Sequence, residues 1–465
     1  MNNTSQKYAF VGLTSLFFTW GFITVMNDIL VNTFQSIFLL SPTQRALVQM
    51  SFFGAFFIVS LGYFLISSIT GKDPINRIGY NNGMIISLVI LAIGCLSFYP
   101  AAQFNSYGAF LAALFLLAIG VTLLQICSNP YAAIMGSPDT ASSRLNLAQG
   151  FNSLGTTIGP IVGTMLIYQV FSNGEQSIES VSQTYVVYGL VFLVLAFVVK
   201  LLHLPNYINK EKMPSGFSVL KNRHLVLGIL AIFFYVGSEV SIGTWIVEFL
   251  KSPEILGAKE SEASYFLSFF WGGLMIGRLM AGIAFDGKSM SLTKIFKMWA
   301  IAITVLSFIY LATSIKMQNG SFSFVFQNPY NLGLYILMIA LSILAFILSK
   351  GLPTKSLVIF SIINIGLLST AMLSKGQLAM WSVLASGLFF SIGWSNIFTL
   401  AIKNLGAYTS QGSSLLVMAI VGGAALPWIQ SHVIETYNIQ TSFIVPIVGL
   451  LYIAFYGWEG HKIKS

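Results

Sequence analysis

The chain has 465 residues, of which 56% are hydrophobic and 8% charged, with a formal net charge of +9. A soluble domain carries about 25% charged residues, so this composition and a mean hydropathy of +0.81 exclude an ordinary soluble enzyme. The basic residues stand singly in short stretches between apolar runs, which argues against a nucleic-acid surface.

The apolar runs are about 20 residues or longer, the length of membrane helices, whereas a membrane barrel shows alternating segments of about 10. The pattern predicts an all-α polytopic membrane protein. In chain order the helical segments are 8–38, 43–69, 80–99, 106–136, 143–171 and 183–204, then 223–250, 263–285, 291–315, 331–349, 355–374, 378–402, 410–434 and 440–459. The first run follows "MNNTSQKY" without a small-residue cleavage pattern, and it is too long for a secretory signal. With the N-terminus in the cytoplasm, most of the 23 Lys and Arg residues fall on the cytoplasmic side. Arg45, Lys251, Lys259, Lys316 and Lys375 fall outside, so the positive-inside rule places both termini in the cytoplasm.

The longest charged break, "PNYINKEKMPSGFSVLKNR", follows the sixth segment. It divides an N-terminal six-helix bundle, 1–204, from a C-terminal bundle, 223–465, with 205–222 as a cytoplasmic linker. An internal repeat supports the division. "LTSLFFTWGF" resembles "ILAIFFYVGS", "FFGAFFIVS" resembles "FWGGLMIGR", and "GTTIGP" resembles "GGAALP", in the same order in both halves. The offset grows by about 50 residues before the last match, the length of two membrane helices with short loops. The second half is therefore expected to carry an inserted helix pair within 317–375.

Cys95 and Cys127 lie in apolar runs, with no disulfide or metal spacing. No nucleophile motif, phosphate loop or metal-ligand cluster appears, so neither an enzyme active site nor a metal or cofactor is expected. Chemistry points instead to polar residues inside the apolar segments. An ionisable group at the bilayer centre costs about 2.5–3.5 kcal/mol or more, and such groups usually face a cavity or a partner. In "FFTWGFITVMNDIL", Trp20, Thr24, Asn27 and Asp28 share one helix face. Tyr235 and Glu239 repeat the arrangement in the seventh segment. In the repeat alignment Glu239 stands five residues short of the Asp28 position, about 7.5 Å of depth. Gln125 and Asn129 follow in the fourth segment, Asn146, Gln149 and Asn152 in the fifth, and Trp394 and Asn396 in the twelfth. Amides, acids and aromatic faces together suit a neutral polyhydroxy ligand. A phosphorylated or carboxylate cargo would need basic residues at mid-depth, where only Arg278 stands. Lone amides also serve as interhelical ties, at about 0.6 kcal/mol each. Gly155, Gly159 and Gly163 read as close helix packing, and Arg77 and Arg278 as gating groups that tie helix ends.

These residues carry a family resemblance. "FFTWGFITVMNDIL", "SNPYAAIMG", "SSRLNLAQGFNSLGTTIGP", "FFYVGSEVSIGTW", "FFWGGLMIGRLMAG" and "MAIVGGAALP" resemble the fucose/glucose–galactose permease branch of the major facilitator superfamily. The likeness runs from about 8 to 310 and from about 378 to 460, and "RIGYNNG" resembles a reduced form of the superfamily's loop between helices two and three. It implies a major facilitator fold and a proton- or sodium-coupled sugar symporter of a bacterial inner membrane. By motif position it implies that Asn27 and Asp28 bind substrate and coupling ion, and that Gln149 and Asn152 contact sugar. Fucose permeases place a glutamate where this chain has Gln125. The glucose–galactose group, with glutamine there and a glutamate in "VGSEVSIG", is the better match, and it moves the second ionisable group to Glu239. The segment 317–375 lies outside the shared pattern.

The expected protein works as a monomer in membrane lipid, imports a hexose such as glucose or galactose by alternating access, and uses no nucleic acid. Burial makes the charge of Asp28 costly, so ion uptake would release the loaded carrier to reorient. A drug–proton antiporter of the same fold would need a flatter, more aromatic cavity with fewer amides. A non-transporting sensor or assembly subunit would have no need of acids in both halves.

Overall fold

Inside a bilayer every main-chain N–H and C=O must be satisfied within the protein, and a helix achieves this with its own segment alone. The computed structural model describes residues 3–40, 42–172, 177–202, 216–258, 260–318, 321–324 and 332–463. The first half contains α1 (Asn3–Phe38), α2 (Pro42–Thr70), α3 (Pro74–Ile78), α4 (Tyr80–Leu96), α5 (Phe98–Gln103), α6 (Tyr107–Ile134), α7 (Ala141–Met165) and α8 (Ile178–Leu201). The second contains α9 (Arg223–Lys251), α10 (Glu260–Ala284), α11 (Leu292–Ser314), α12 (Gly333–Leu348), α13 (Pro353–Leu373), α14 (Gly376–Phe390), α15 (Gly393–Ala401), α16 (Thr409–Met418), α17 (Gly422–Thr436) and α18 (Ile444–Phe455). Two short strands, β1 (Ile315–Gln318) and β2 (Ser321–Phe324), pair antiparallel between α11 and α12.

Among the described residues, 12 helices are long and apolar enough to cross a membrane. The two remaining segments expected from the sequence also form helices. One is α7, whose opening turns carry Arg144, Asn146 and Gln149, and the other is α12, an apolar helix of 16 residues. Three segments read as continuous are broken, the run 80–99 at Ser97 between α4 and α5. The run 378–402 divides into α14 and α15 at Ser391 and Ile392, where Gly393 lies so close to the Tyr235 ring that a Cβ would clash. The run 410–434 divides into α16 and α17 through the tight turn Ala419–Val421.

The chain forms two compact units. The first comprises Met1–Met135, Leu154–Asn222 and Ile402–Val421. In it α4 packs on α6 and α8, and α2 packs on α6. The α4–α6 contact is backbone-close, because a Cβ on Gly94 would meet the Leu117 main chain and one on Gly120 the Leu91 main chain. Phe98 and Tyr185 stack at 3.9 Å beside it. The later turns of α7 approach α1 the same way, since a Cβ on Gly155 would strike the Phe18 main-chain oxygen and one on Gly159 the Val25 side chain. The short helix α16 is held on α2 by Gln411 Nε2, which donates to Ser67 Oγ at 3.2 Å and to Ser68 Oγ at 2.6 Å. Ser413 Oγ adds a bond to the Ile126 carbonyl at 3.0 Å on α6.

The second unit comprises Gly136–Ser153, Arg223–Ala401 and Gly422–Ser465. Its packing repeats the pattern of the first: α13 packs on α14 and α18, and α10 packs on α14. Here α17 approaches α9 through Gly422, where a Cβ would strike the Phe233 main-chain oxygen. The opening turns of α7 are tied to α10 and α15. Ser143 Oγ donates to the Gly282 carbonyl at 2.5 Å, Ser142 and Thr399 hydroxyls lie 2.8 Å apart, and Asn146 Nδ2 donates to Asn396 Oδ1 at 3.0 Å. Helix α11 lies along α10 with Phe296, Ile303 and Leu311 exposed. Only 28% of its apolar window is buried, against 89% for Gly376–Ala401, so α11 is peripheral to this unit. The chain then returns to where it left: Gly351, at φ 65°, sits where a Cβ would be 2.6 Å from the Ala284 main-chain oxygen at the end of α10.

Candidate functional site

The candidate residues fall in both units, and each set is built on rigid helix. In the first unit, Asn27 on α1 is 3% exposed and donates through Nδ2 to Gln49 Oε1 at 2.8 Å. Its Oδ1 and the Thr24 hydroxyl, one turn earlier, are buried with no hydrogen-bond partner. Trp20 completes this face and packs on Phe17 at 4.1 Å. Asp28 follows on the same helix, and its side chain lies outside the described residues. On α6, Gln125 and Asn129 are buried, and Asn129 Nδ2 donates to the Gln125 carbonyl at 3.1 Å.

In the second unit, Glu239 on α9 and Arg278 on α10 form an ion pair, Nη2 to Oε1 at 3.7 Å, with side chains 13% and 9% exposed. Arg278 Nη1 also donates to Ser153 Oγ on α7 at 2.7 Å. The Tyr235 hydroxyl lies beside both Glu239 and Arg278 but completes no geometric hydrogen bond. Glu239 Oε2 and Arg278 Nε are likewise buried without a bond. Buried polar groups are almost always paired, so this cluster of an acceptor, a donor and a phenol has unfilled capacity for a polar guest. Gln149 and Asn152, one turn and one residue before Ser153, are buried on the same helix. Arg278, expected near a helix end, is thus the counter-ion of Glu239 in the interior of its unit. Ser153 is a residue that the sequence reading did not single out, although its spacing of four from Gln149 was visible.

Two other candidates are enclosed. Asn396 has no exposed surface, accepts from Asn146 and donates to the Pro353 carbonyl at 3.3 Å. Trp394 is 6% exposed and stacks on Phe398 at 6.0 Å.

Arg77 is exposed in the last turn of α3. The tying group in that loop is Asp73, which caps α3 by accepting from Ile75 N at 3.0 Å and Asn76 N at 3.2 Å, and from the Tyr63 hydroxyl. Burial lifts the Asp73 carboxyl above the usual carboxylate range, with the hydrogen bonds opposing that shift.

Among the described residues, a dozen apolar spans, with an acid, a guanidinium and amides buried within the units, define a multi-pass membrane protein. The sequence pattern of the Major Facilitator Superfamily matches residues 8–354, and the chain belongs to that superfamily. It is 38% identical over 471 aligned residues to a glucose/galactose transporter of Brucella abortus, covering 99% of this chain and 96% of that one. It is 26% identical to an L-fucose-proton symporter of Haemophilus influenzae, covering 98% of this chain and 96% of that one. The fold matches the crystal structure of a superfamily transporter, FucP, in the outward conformation, with a TM-score of 0.74, 24% identity and coverage of 98% and 99%.

Proposed function

We propose that the protein imports a neutral hexose by cation-coupled symport through alternating access, with the proton as coupling ion. The observation that carries this reading is the set of buried, unfilled polar atoms on Glu239, Arg278 and Tyr235. An acceptor, a donor and a group that can do both match the hydroxyls of a sugar, which donate and accept at each position. The names of the relatives, a glucose/galactose transporter and a fucose-proton symporter, support the same substrate class and ion.

In this reading Asn27, Gln125, Asn129, Gln149 and Asn152 supply amides to the sugar, and Trp394 supplies an aromatic face. Asp28 and Glu239 take up the coupling proton. Asn396, engaged at both ends, ties helices. Gly155 and Gly159 keep α7 close to α1. The unit of function is one chain, which brings every group named here.

The fold is read as two six-helix bundles with an added helix pair. The packing supports α11 and α12 as that pair, one helix earlier than the repeat in the sequence suggests. Without them, α13 follows α10 at the Ala284–Gly351 contact and takes the packing place that α4 has in the first unit. The membrane is a bacterial inner membrane, with both termini in the cytoplasm by the distribution of Lys and Arg.

The test is uptake into proteoliposomes of a panel of hexoses and N-acetylhexosamines, with proton and sodium gradients imposed separately. Accumulation of glucose or galactose under a proton gradient alone is the expected result. Accumulation under sodium alone would replace the ion, and transport of lipophilic cations with no sugar uptake would overturn the reading.

A further inference from the structure

Arg278 is held more closely by Ser153 than by the acid it neutralises. Its Nη1 donates to Ser153 Oγ at 2.7 Å, whereas Nη2 stands 3.7 Å from Glu239 Oε1. Hydrogen bonds of this kind lie at about 2.7–3.2 Å, so the pair with Glu239 is a charge contact and the bond to Ser153 is a true hydrogen bond. The serine hydroxyl has a fixed direction as well. It donates to the Gln149 carbonyl at 3.2 Å, which leaves its lone pairs for the guanidinium. A continuous polar line results. It runs from the Glu239 carboxylate on α9 through Arg278 on α10 and Ser153 on α7 to the main-chain turn that carries Gln149 and Asn152. The titratable groups acting on Glu239 are Arg278 and, one turn away on its own helix, Tyr235. The helices α14, α15, α17 and α18 also pack on α9 and, among the described residues, bring no further titratable group to bear on it.

We propose that Ser153 is a positioning residue that transmits the charge state of Glu239, through Arg278, to the turn of α7 that contacts the sugar. The inference rests on the proton-coupled sugar reading given above. With Glu239 ionised, the guanidinium is shared between α9 and α7. When a proton from the aqueous phase binds the carboxylate, whose Oε2 is unpaired, the charge attraction is lost. Arg278 is then left to Ser153, and the Gln149–Asn152 turn moves with it or is released to the sugar. Charge-assisted hydrogen bonds in a shielded site are strong enough to carry such a change. Linkage makes it reciprocal: a proton that raises sugar affinity is itself held more tightly by the sugar-bound carrier.

A serine that served packing alone would affect the amount of folded carrier or its maximal rate, but not its response to protons. The deciding readout is therefore the half-saturation concentration for D-glucose and D-galactose measured across pH, with the full chain in proteoliposomes. For the wild type it is expected to change by about tenfold between the protonated and deprotonated limits, within the usual range of coupling. Ser153→Ala is expected to compress that change to about threefold or less. Ser153→Thr, which keeps a hydroxyl, restores it. Arg278→Lys keeps the charge but loses the planar fork that reaches two partners; it serves as a second variant and must compress the profile as well. A profile in Ser153→Ala or Arg278→Lys that superimposes on the wild type overturns the proposal. A wild type with no pH dependence and no proton-driven accumulation overturns the proton-coupled reading and this inference together, an outcome distinct from a wild-type response that the variants leave intact.

Discussion

Asp73 and Glu239 present the same difficulty, a carboxylate taken out of water, and the two units meet it differently. In the first unit Asp73 is surrounded by donors without charge, the Tyr63 hydroxyl and the first N–H groups of α3. In the second, Glu239 faces a guanidinium at ion-pair distance and keeps one oxygen unbonded. Those bonds to Asp73 all fall on Oδ1, so its Oδ2 is left as bare as Glu239 Oε2; what differs is that the donors to Asp73 are neutral and belong to a helix cap, which makes it a structural joint. Glu239 is held instead by a charge at 3.7 Å, and in the proposed reading it can exchange a proton without dismantling a cap. In the proposed reading the charged partner, rather than burial or an unbonded oxygen, is what marks the coupling residue.

The comparison is broken most forcefully by Arg278→Ala. Removing one partner of a buried ion pair costs about 3–5 kcal/mol, so transport should be abolished and the melting temperature in detergent should fall by several degrees. Retention of both would mean that Glu239 has another counter-charge. Glu239→Gln comes next. It keeps the shape and removes the charge change, so gradient-driven accumulation should collapse to equilibration while exchange of labelled for unlabelled sugar continues at a reduced rate. Concentrative uptake by this variant would move the coupling role elsewhere.

Asp73→Asn should behave in the opposite way, with a stability loss of about 1–3 kcal/mol from the weakened cap and the Tyr63 bond and coupling intact. The sign of its pH dependence follows from burial, which lifts the folded-state value. The contribution is complete below the usual carboxylate range and is lost as pH rises through the lifted value. Thermal denaturation across pH should show this slope in the wild type and lose it in Asp73→Asn. The neutral ties are a smaller matter. Asn146→Ala in the second unit and Gln411→Ala in the first should each cost about 0.6–1 kcal/mol and leave the proton response unchanged, as measured by melting and by uptake against pH.

The smallest effect is expected at Asp286, which pairs with Lys294 at 2.5 Å in the loop after α10, with its side chain 38% exposed. Burial would raise its carboxyl, but the hydrogen bond and charge of Lys294 outweigh that and hold it below its ordinary value. The contribution is present above the ordinary carboxylate range and fades as pH falls through the lowered value. Because solvent screens so exposed a pair, Asp286→Asn should change stability by only a few tenths of a kcal/mol, within the scatter of a melting curve at neutral pH.

Much of the fold was legible because membrane helices announce themselves by length and apolarity. The expected segment 223–250 is Arg223–Lys251, and 355–374 is Pro353–Leu373. The cap at Asp73 was also within reach, since Asp followed by Pro is a helix-start signal. The break between α14 and α15 was not, because no proline marks it; it depends on how Gly393 meets the Tyr235 ring, a contact between residues far apart in the chain. The same limit applies to the site. Sequence singled out Glu239 and Arg278 as unusual, each in its own helix, but nothing in their spacing announces that they meet. Ser153 reads as one small residue among several in "GFNSLGTT", and its hydrogen bonds to Arg278 and Gln149 are what set it apart. The jump in the repeat offset measures how much chain the proposed helix pair would add but locates it poorly.

The contact between Ala284 and Gly351 has a consequence for how such a protein can grow. The chain departs from the end of α10, runs out through α11, the β1–β2 hairpin and α12, and comes back to touch its point of departure. The excursion is nonetheless packed into its unit, since Tyr335 on α12 is fully buried and donates to the Phe269 carbonyl on α10 at 2.7 Å; in the proposed reading its even number of crossings leaves the sidedness of everything downstream unchanged. A short bridge from Ala284 to Gly351 would close the chain behind it and would remove the packing of Tyr335 on Phe269 and Trp381.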